Sequence, residues 1–135
     1  MKYVYPAIFT QNEDGFLVKF PDLESCYTDG TDMKDAFINA EDVLNLVLWD
    51  MEEAKKDIRA PSSPKAVACD GNSFVSLVSA DTLAYRKAHD TKAVKKTLSI
   101  PRWLDTMALE NNVNFSNVLQ NALIEELGIK QADKA

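Results

Sequence analysis

The chain has 135 residues, 46% of them hydrophobic and 27% charged, with a formal net charge of −6. At roughly 100 to 200 residues per domain there is room for one ordinary domain, or for a compact domain plus a small module, and a large multidomain enzyme is excluded. The apolar content suffices for a packed core and is too high for a disordered tail, while the acidic balance argues against a surface that binds polyanions everywhere.

The distribution of charge says more than its sum. Residues 1–60 hold six Lys and Arg against thirteen Asp and Glu, a net −7; residues 61–90 balance three against three; residues 91–135 hold six against five, a net +1. In the last segment Lys92, Lys95, Lys96 and Arg102 crowd together before the first acid, Asp105. No apolar run approaches the ~18 to 20 residues of a membrane span, and Met1–Pro6 lacks a signal-like apolar stretch, so a cytoplasmic protein without membrane contact is expected. Cys26 and Cys69 show neither CxxC spacing nor a histidine cluster and are read as small buried residues.

In chain order, Lys2–Thr10 is rich in aromatic and branched residues and predicts a strand. The Asn12-Glu13-Asp14-Gly15 sequence predicts a hairpin turn, because Gly15 can take a positive φ. Phe16, Val18 and Phe20 alternate with Leu17 and Lys19 in a second strand that Pro21 ends, and a short third strand is expected over Ser25–Thr28. Asp32 is a good N-cap, and from Met33 through Ala36, Phe37, Ala40, Val43, Leu44, Val47, Leu48 and Met51 to Ala54 the apolar residues recur at helical spacing. Trp49 lies off that stripe, as a second packing contact or part of a protein interface, and Tyr85 is read the same way. Ala60-Pro61-Ser62-Ser63-Pro64 breaks the helix. Val67–Cys69, the Asp70-Gly71-Asn72 turn and Phe74–Val78 suggest a strand or strand pair, Asp81–Ala88 a short helix, and His89–Ala93 a linker.

Val94–Ile100 predicts a strand with Leu98 and Ile100 on one face and Lys95, Thr97 and Ser99 on the other. Pro101 suits a first helical turn, Trp103, Leu104, Met107 and Ala108 give that helix a stripe, and Asn111-Asn112 ends it. Asn114 caps a second helix with Val118, Leu119, Ala122, Leu123, Ile124 and Leu127 on a broad apolar face, stopped by Gly128. A module of about 40 residues with a lone strand cannot bury its own apolar surface, so it must pair with another chain.

This segment, Lys-Lys-Thr-Leu-Ser-Ile-Pro followed by a helix and by Asn114-Phe115-Ser116-Asn117 opening an apolar helix, resembles a ribbon-helix-helix DNA-binding module over residues 93–130. The resemblance implies a homodimer whose two strands form a ribbon in the major groove of operator DNA. It makes Lys95, Thr97 and Ser99 the base-reading face and Asn114, Phe115 and Ser116 a phosphate clamp, joined at phosphate by Lys92 and Lys96. Leu98, Ile100, Trp103, Leu119 and Leu123 become the dimer core. The chemistry agrees: lysine donates to guanine O6 and N7, hydroxyls read either partner, and a helix N-terminus suits a phosphate. Lys96 stands where the ribbon often has an apolar residue, so either it bends back to phosphate or the strand begins at Thr97.

The front half, at Tyr5-Pro6-Ala7, Asp14-Gly15, Val18-Lys19-Phe20-Pro21-Asp22-Leu23 and Gly30 before the capped helix, resembles the HicB antitoxin family. That resemblance implies an α+β chain: a partial ribonuclease H-like domain over residues 1–90, an antiparallel sheet packed by one long helix, followed by the ribbon-helix-helix module. It also implies a partner, a small basic HicA-like toxin that cleaves messenger RNA with a histidine, occluded by the acidic domain, with assembly beyond the dimer left open. Toxin-contact positions are sought among exposed acids and aromatics, namely Glu13, Asp14, Asp22, Glu24 and Tyr27.

Catalysis is not expected. A two-metal nuclease needs carboxylates converging from strand centres, whereas the first strand has no acid, Asp14 is in a turn, Asp22 follows a proline, and His89 has no nucleophile beside it. No cofactor is implied. The competing reading is a solitary ribbon-helix-helix repressor whose front domain senses a ligand or another protein.

Overall fold

The computed structural model describes residues 1–129, so Lys130, the last residue of the predicted module, lies outside the described residues. The chain divides into two compact units, Met1–Lys92 and the segment beginning at Ala93.

Unit 1 is an antiparallel four-stranded sheet in the order β3-β2-β1-β4, formed by β1 (Lys2–Asn12), β2 (Gly15–Lys19), β3 (Tyr27–Gly30) and β4 (Ser73–Asp81). The β1–β2 hairpin is as tight as expected, with Asn12 opposite Gly15 and Gly15 at φ +137°. A Cβ there would also come within 2.2 Å of the Gly30 carbonyl oxygen, so glycine is needed twice over. Pro6 sits in β1 where the β1–β2 ladder has not yet begun, since pairing starts at Ile8; a proline there breaks no β2 bond.

Helix α1 (Met33–Glu53) follows its predicted cap: Asp32 accepts from the Asp35 N–H while Asp35 accepts from that of Thr31, closing the first turn reciprocally. Ala36, Ala40, Leu44 and Leu48 are fully buried on Tyr5, Ala7, Phe9, Val18, Phe20 and Val78 of one sheet face. Of the predicted stripe, Met33 and Ala54 at the helix ends and Phe37 in the second turn are exposed. At Gly30 the helix backbone comes so near that a Cβ would lie 2.2 Å from the Ala36 nitrogen, which fixes β3 against the start of α1.

Several boundaries differ from the sequence expectation. The third strand begins at Tyr27, not Ser25, because Ser25 takes a left-handed φ of +55° in the turn that brings the Cys26 carbonyl to the Phe20 N–H. Val67–Cys69 makes no strand; one 3₁₀ turn, Pro64–Ala66, precedes it, and of the expected strand pair only β4 forms, beside β1. Cys26 is buried as expected, which pushes its thiol up to about 12, but Cys69 is exposed. Helix α2 (Thr82–His89), capped by Asp81, includes His89, which was expected in the linker; its Nδ1 meets the Tyr85 carbonyl at 2.8 Å and its ring stacks on Tyr85 at 3.9 Å. Trp49 is a packing contact on this helix, edge-on to Tyr85 and 6.0 Å from the Arg86 guanidinium.

Unit 2 has two helices, α3 (Arg102–Glu110) and α4 (Phe115–Glu126). Both end on left-handed residues, Asn112 at φ +55° and Gly128 at φ +64°, with Val113 and Ile129 donating back to Ala108 and Ile124. The expected strand Val94–Ile100 is not formed in the single chain. A strand exists only through ladder bonds to a neighbour, and none is present for this segment among the described residues.

Candidate functional site

Strand alternation gives the sheet of unit 1 a second face, away from α1. It carries Val4, Pro6 and Ile8 of β1, Leu17 and Lys19 of β2, Tyr27 and Asp29 of β3, and Val75 and Leu77 of β4. The register stacks these in rows: Ile8 between Lys19 and Val75, Leu17 beside Asp29, Lys19 beside Tyr27 and Pro6 beside Leu77. Pro6 is buried and Ile8 and Val75 are half-buried, but Val4, Leu17, Leu77 and Tyr27 are exposed, Tyr27 by 68%. Across it the Thr10 and Ser73 hydroxyls bond at 2.7 Å. Leu17 continues into a cleft at the hairpin end bordered by Asp14, Asp29 and Asp35. These acids are no metal centre: among the described residues no group of three or more His, Cys, Asp or Glu could hold an ion.

The five expected toxin-contact residues do not share one surface. Glu13 and Asp14 are exposed at the hairpin, Asp14 on the acidic cleft, and Tyr27 lies on the outer sheet face. Glu24 is exposed beside α1, in a separate cleft with Leu46, Val47 and Lys56. Asp22 is not an exposed acid: it is 7% exposed and accepts from both the N–H (2.9 Å) and the hydroxyl of Ser62, with Arg59 Nε at 3.9 Å. Burial alone would raise its carboxyl, but the two Ser62 donors and the Arg59 charge outweigh burial and hold it below the usual carboxylate range.

Sequence reasoning passed over Val4, Leu17, Asp29 and Leu77. Their signal was present: β1 is apolar on both parities, the pattern of a strand covered on both faces, yet α1 covers only one. It also passed over Glu52, which accepts from Tyr3 (2.8 Å), Thr82 (3.0 Å) and Arg86 (3.1 Å) and ties α1 to β1 and α2. Burial first, and then this carboxylate, push the Tyr3 hydroxyl up to about 12.

In unit 2 none of the five expected dimer-core residues is buried in the single chain: Leu98, Ile100, Trp103 and Leu123 are exposed and Leu119 is half-buried. Leu98 and Ile100 line a groove with Phe115, Val118, Leu119 and Ala122. Lys96 lines the same groove, which places it on the side of Leu98 and Ile100 and not in the row of Lys95, Thr97 and Ser99; all three of these are exposed and none borders the groove. This is the inward-leaning side that its place in the alternation implies. Asn114 caps α4 by accepting from the Asn117 N–H at 3.1 Å, and the N–H groups of Phe115 and Ser116 lead that helix without a described acceptor. Lys92 is exposed at the end of unit 1.

The sequence profile of the family described as HicB-like antitoxin of bacterial toxin-antitoxin system matches residues 4–78. That is more than half of the chain, and the chain belongs to this family. The protein is thus an antitoxin of a toxin-antitoxin system, a regulatory protein and not an enzyme. Among solved structures it is similar to a chain of a toxin-antitoxin complex from Streptococcus pneumoniae, at 27% identity and TM-score 0.61, over 93% of this chain and 99% of that one. The fold is shared with the antitoxin HicB of Burkholderia pseudomallei, at 20% identity and TM-score 0.52 over 95% and 98% of the two chains. It is shared too with a chain of a HicA3 and HicB3 toxin-antitoxin complex, at 21% identity and TM-score 0.51 over 58% and 99%. A search of curated proteins returns no match. No described helix is long and apolar enough to cross a membrane.

Proposed function

We propose that the chain neutralises a HicA-like toxin, a small basic protein that cleaves messenger RNA, by covering it with the outer sheet face and hairpin end of unit 1. In this reading the chain also represses its own operon in the cytoplasm through a homodimer of unit 2. The observation that carries the first half is the exposed outer face of a unit whose family is antitoxins: Leu17, Tyr27, Val4 and Leu77 provide apolar contact and Asp14, Asp29 and Glu13 a rim of opposite sign to a basic toxin. Apolar anchors within a charged rim suit a partner that must be steered and then held. Unit 1, a meander with a helix across one face and a fourth strand returning beside the first, is read as a partial ribonuclease H-like fold.

For DNA, the supporting feature is the parity of the segment before α3. With Lys96, Leu98 and Ile100 on the groove, pairing with a second copy presents Lys95, Thr97 and Ser99 outward as a ribbon; the free N–H groups of Phe115 and Ser116, behind the Asn114 cap, suit phosphate, and Lys92 supplies a further charge for it. In this reading unit 2 is a ribbon-helix-helix module.

The test is co-expression with a small basic HicA-like protein, size-exclusion chromatography, and a messenger-RNA cleavage assay with and without this chain. A stable complex with suppressed cleavage is expected. Absence of a complex, with operator binding intact, would replace the antitoxin mechanism with a solitary repressor whose unit 1 senses something else.

A further inference from the structure

The unit 2 groove is mainly apolar, with the Ser116 hydroxyl and two opposite charges on its lining. Leu98, Ile100, Phe115 and Leu119 line it together with Lys96 and Asp105. Lysines on a lone exposed segment ordinarily turn to water, but alternation puts Lys96 on the groove side. Asp105 stands half-buried in the first turn of α3. Neither makes an ion pair among the described residues. Any chain that covers this groove removes both charges from water, and a buried charge left single is strongly unfavourable. Once covered, the two charges either neutralise each other within one chain or take partners from the cover, an acid for Lys96 and a base for Asp105.

A second copy of the chain brings both. Val94–Ile100 has no ladder partner of its own, and a segment that pairs antiparallel with its own copy does so about a two-fold axis near its middle residue, Thr97. That register sets Lys96 opposite Leu98 of the other copy, beside the run Ile100-Pro101 that leads into the first turn of α3 and Asp105. Two-fold symmetry makes the contact occur twice, Lys96 to Asp105 in each direction. A residue that met itself across the axis could not be neutralised this way.

We propose that Lys96 and Asp105 form two reciprocal ion pairs between copies of this chain, and that these pairs select its own copy over other modules of the same shape. The proposal rests on the dimer reading above and replaces a DNA contact at Lys96 with a pairing one. Such charges act mainly through specificity, by penalising wrong partners.

The test uses full-length chains of distinguishable mass, followed by native mass spectrometry and light scattering. Lys96→Glu and Asp105→Lys should each weaken homodimerisation by about tenfold or more through like-charge contact. Mixed together they should form the heterodimer in preference to either homodimer, since one chain then offers two acids and the other two bases. Because recovery on mixing requires folded chains, a misfolded single variant cannot imitate it. The double variant Lys96→Glu/Asp105→Lys should homodimerise like the original chain and fail to exchange subunits with it. The proposal is overturned if the double variant recovers but mixing the single variants does not, which places the pair within one chain, or if the single variants dimerise unchanged. A parent chain that is monomeric at micromolar concentration would instead overturn the dimer reading itself.

Discussion

Replacing Asp22 with alanine separates a structural role from a toxin-binding one. The side chain is 7% exposed and holds Ser62, forty positions along the chain, by two donors, so that the segment leaving α1 is fastened to the end of β2. Hydrogen bonds to a charged group contribute about 1.5 to 3 kcal/mol each, and Ser62 is only half-buried and recovers part of this from water, so the net loss should be about 3 kcal/mol. The Arg59 pair adds little, because its guanidinium side is mostly in solvent. For a unit of this size the loss corresponds to a fall of roughly 12 to 24 °C in the melting temperature. The pH dependence has a definite sign. A carboxyl held below its unfolded value stabilises the fold fully above the unfolded value, near pH ~4, and loses that contribution as pH falls through the folded value. Melting of the parent chain and Asp22→Ala, followed by circular dichroism from pH 7 downward, should show a large gap at neutral pH that closes in acid. Toxin affinity, measured well below both transitions, should be unchanged. A gap that does not depend on pH, or lost toxin binding at full stability, would refute the fastening role and return Asp22 to the toxin contacts.

Leu17→Asp and Tyr27→Ala, both on exposed outer-face residues, should leave the melting temperature within a few degrees of the parent and weaken a toxin complex by at least about tenfold, measured by calorimetry. Gly30→Ala should destabilise unit 1 by about 1 to 3 kcal/mol or more in urea unfolding, since its Cβ would meet the Ala36 backbone at 2.2 Å and the helix must move. Leu44→Ala, a fully buried truncation, should cost about 2 to 5 kcal/mol in the same assay. For operator DNA, two subunits with two to four phosphate contacts each predict a slope of log affinity against log salt of roughly −4 to −7. Thr97→Ala should relax sequence preference at constant slope, whereas Lys92→Ala should weaken all sequences alike.

What the sequence made legible follows the range of the interactions. Helix α1 could be read almost to its ends, because its cap and its apolar period are local, and the same holds for the hairpin at Gly15 and for the stops at Asn112 and Gly128. Asp22 was misplaced because its partners, Ser62 and Arg59, lie some forty residues away and nothing near it announces them. The start of β3 moved to Tyr27 because the left-handed Ser25 turn is set by the Phe20–Cys26 closure, not by β-propensity. His89 continues α2 because its ring finds Tyr85 one turn earlier, a contact that polar composition alone did not disclose. The outer face was hidden by its own regularity: Leu17 and Val4 look like ordinary strand residues until the sheet shows that one helix covers only the other side.

Unit 2 was legible in a different sense, as a segment whose apolar faces the single chain leaves open. Its helices, caps and groove parity all agree with the residue pattern, yet the described single chain leaves Leu98 at 64% and Trp103 at 66% exposure. Stability that comes from a second copy depends on concentration, since each dilution shifts the equilibrium toward separate chains. Unit 1 has its own core of Tyr5, Phe9, Phe20, Leu44 and Leu48 and carries no such dependence. Thermal unfolding should therefore resolve two transitions, of which only the one belonging to unit 2 moves upward with protein concentration. Toxin bound to unit 1 would raise the other transition, and any movement of the unit 2 transition on adding toxin would measure the coupling between toxin binding and the folding and pairing of unit 2.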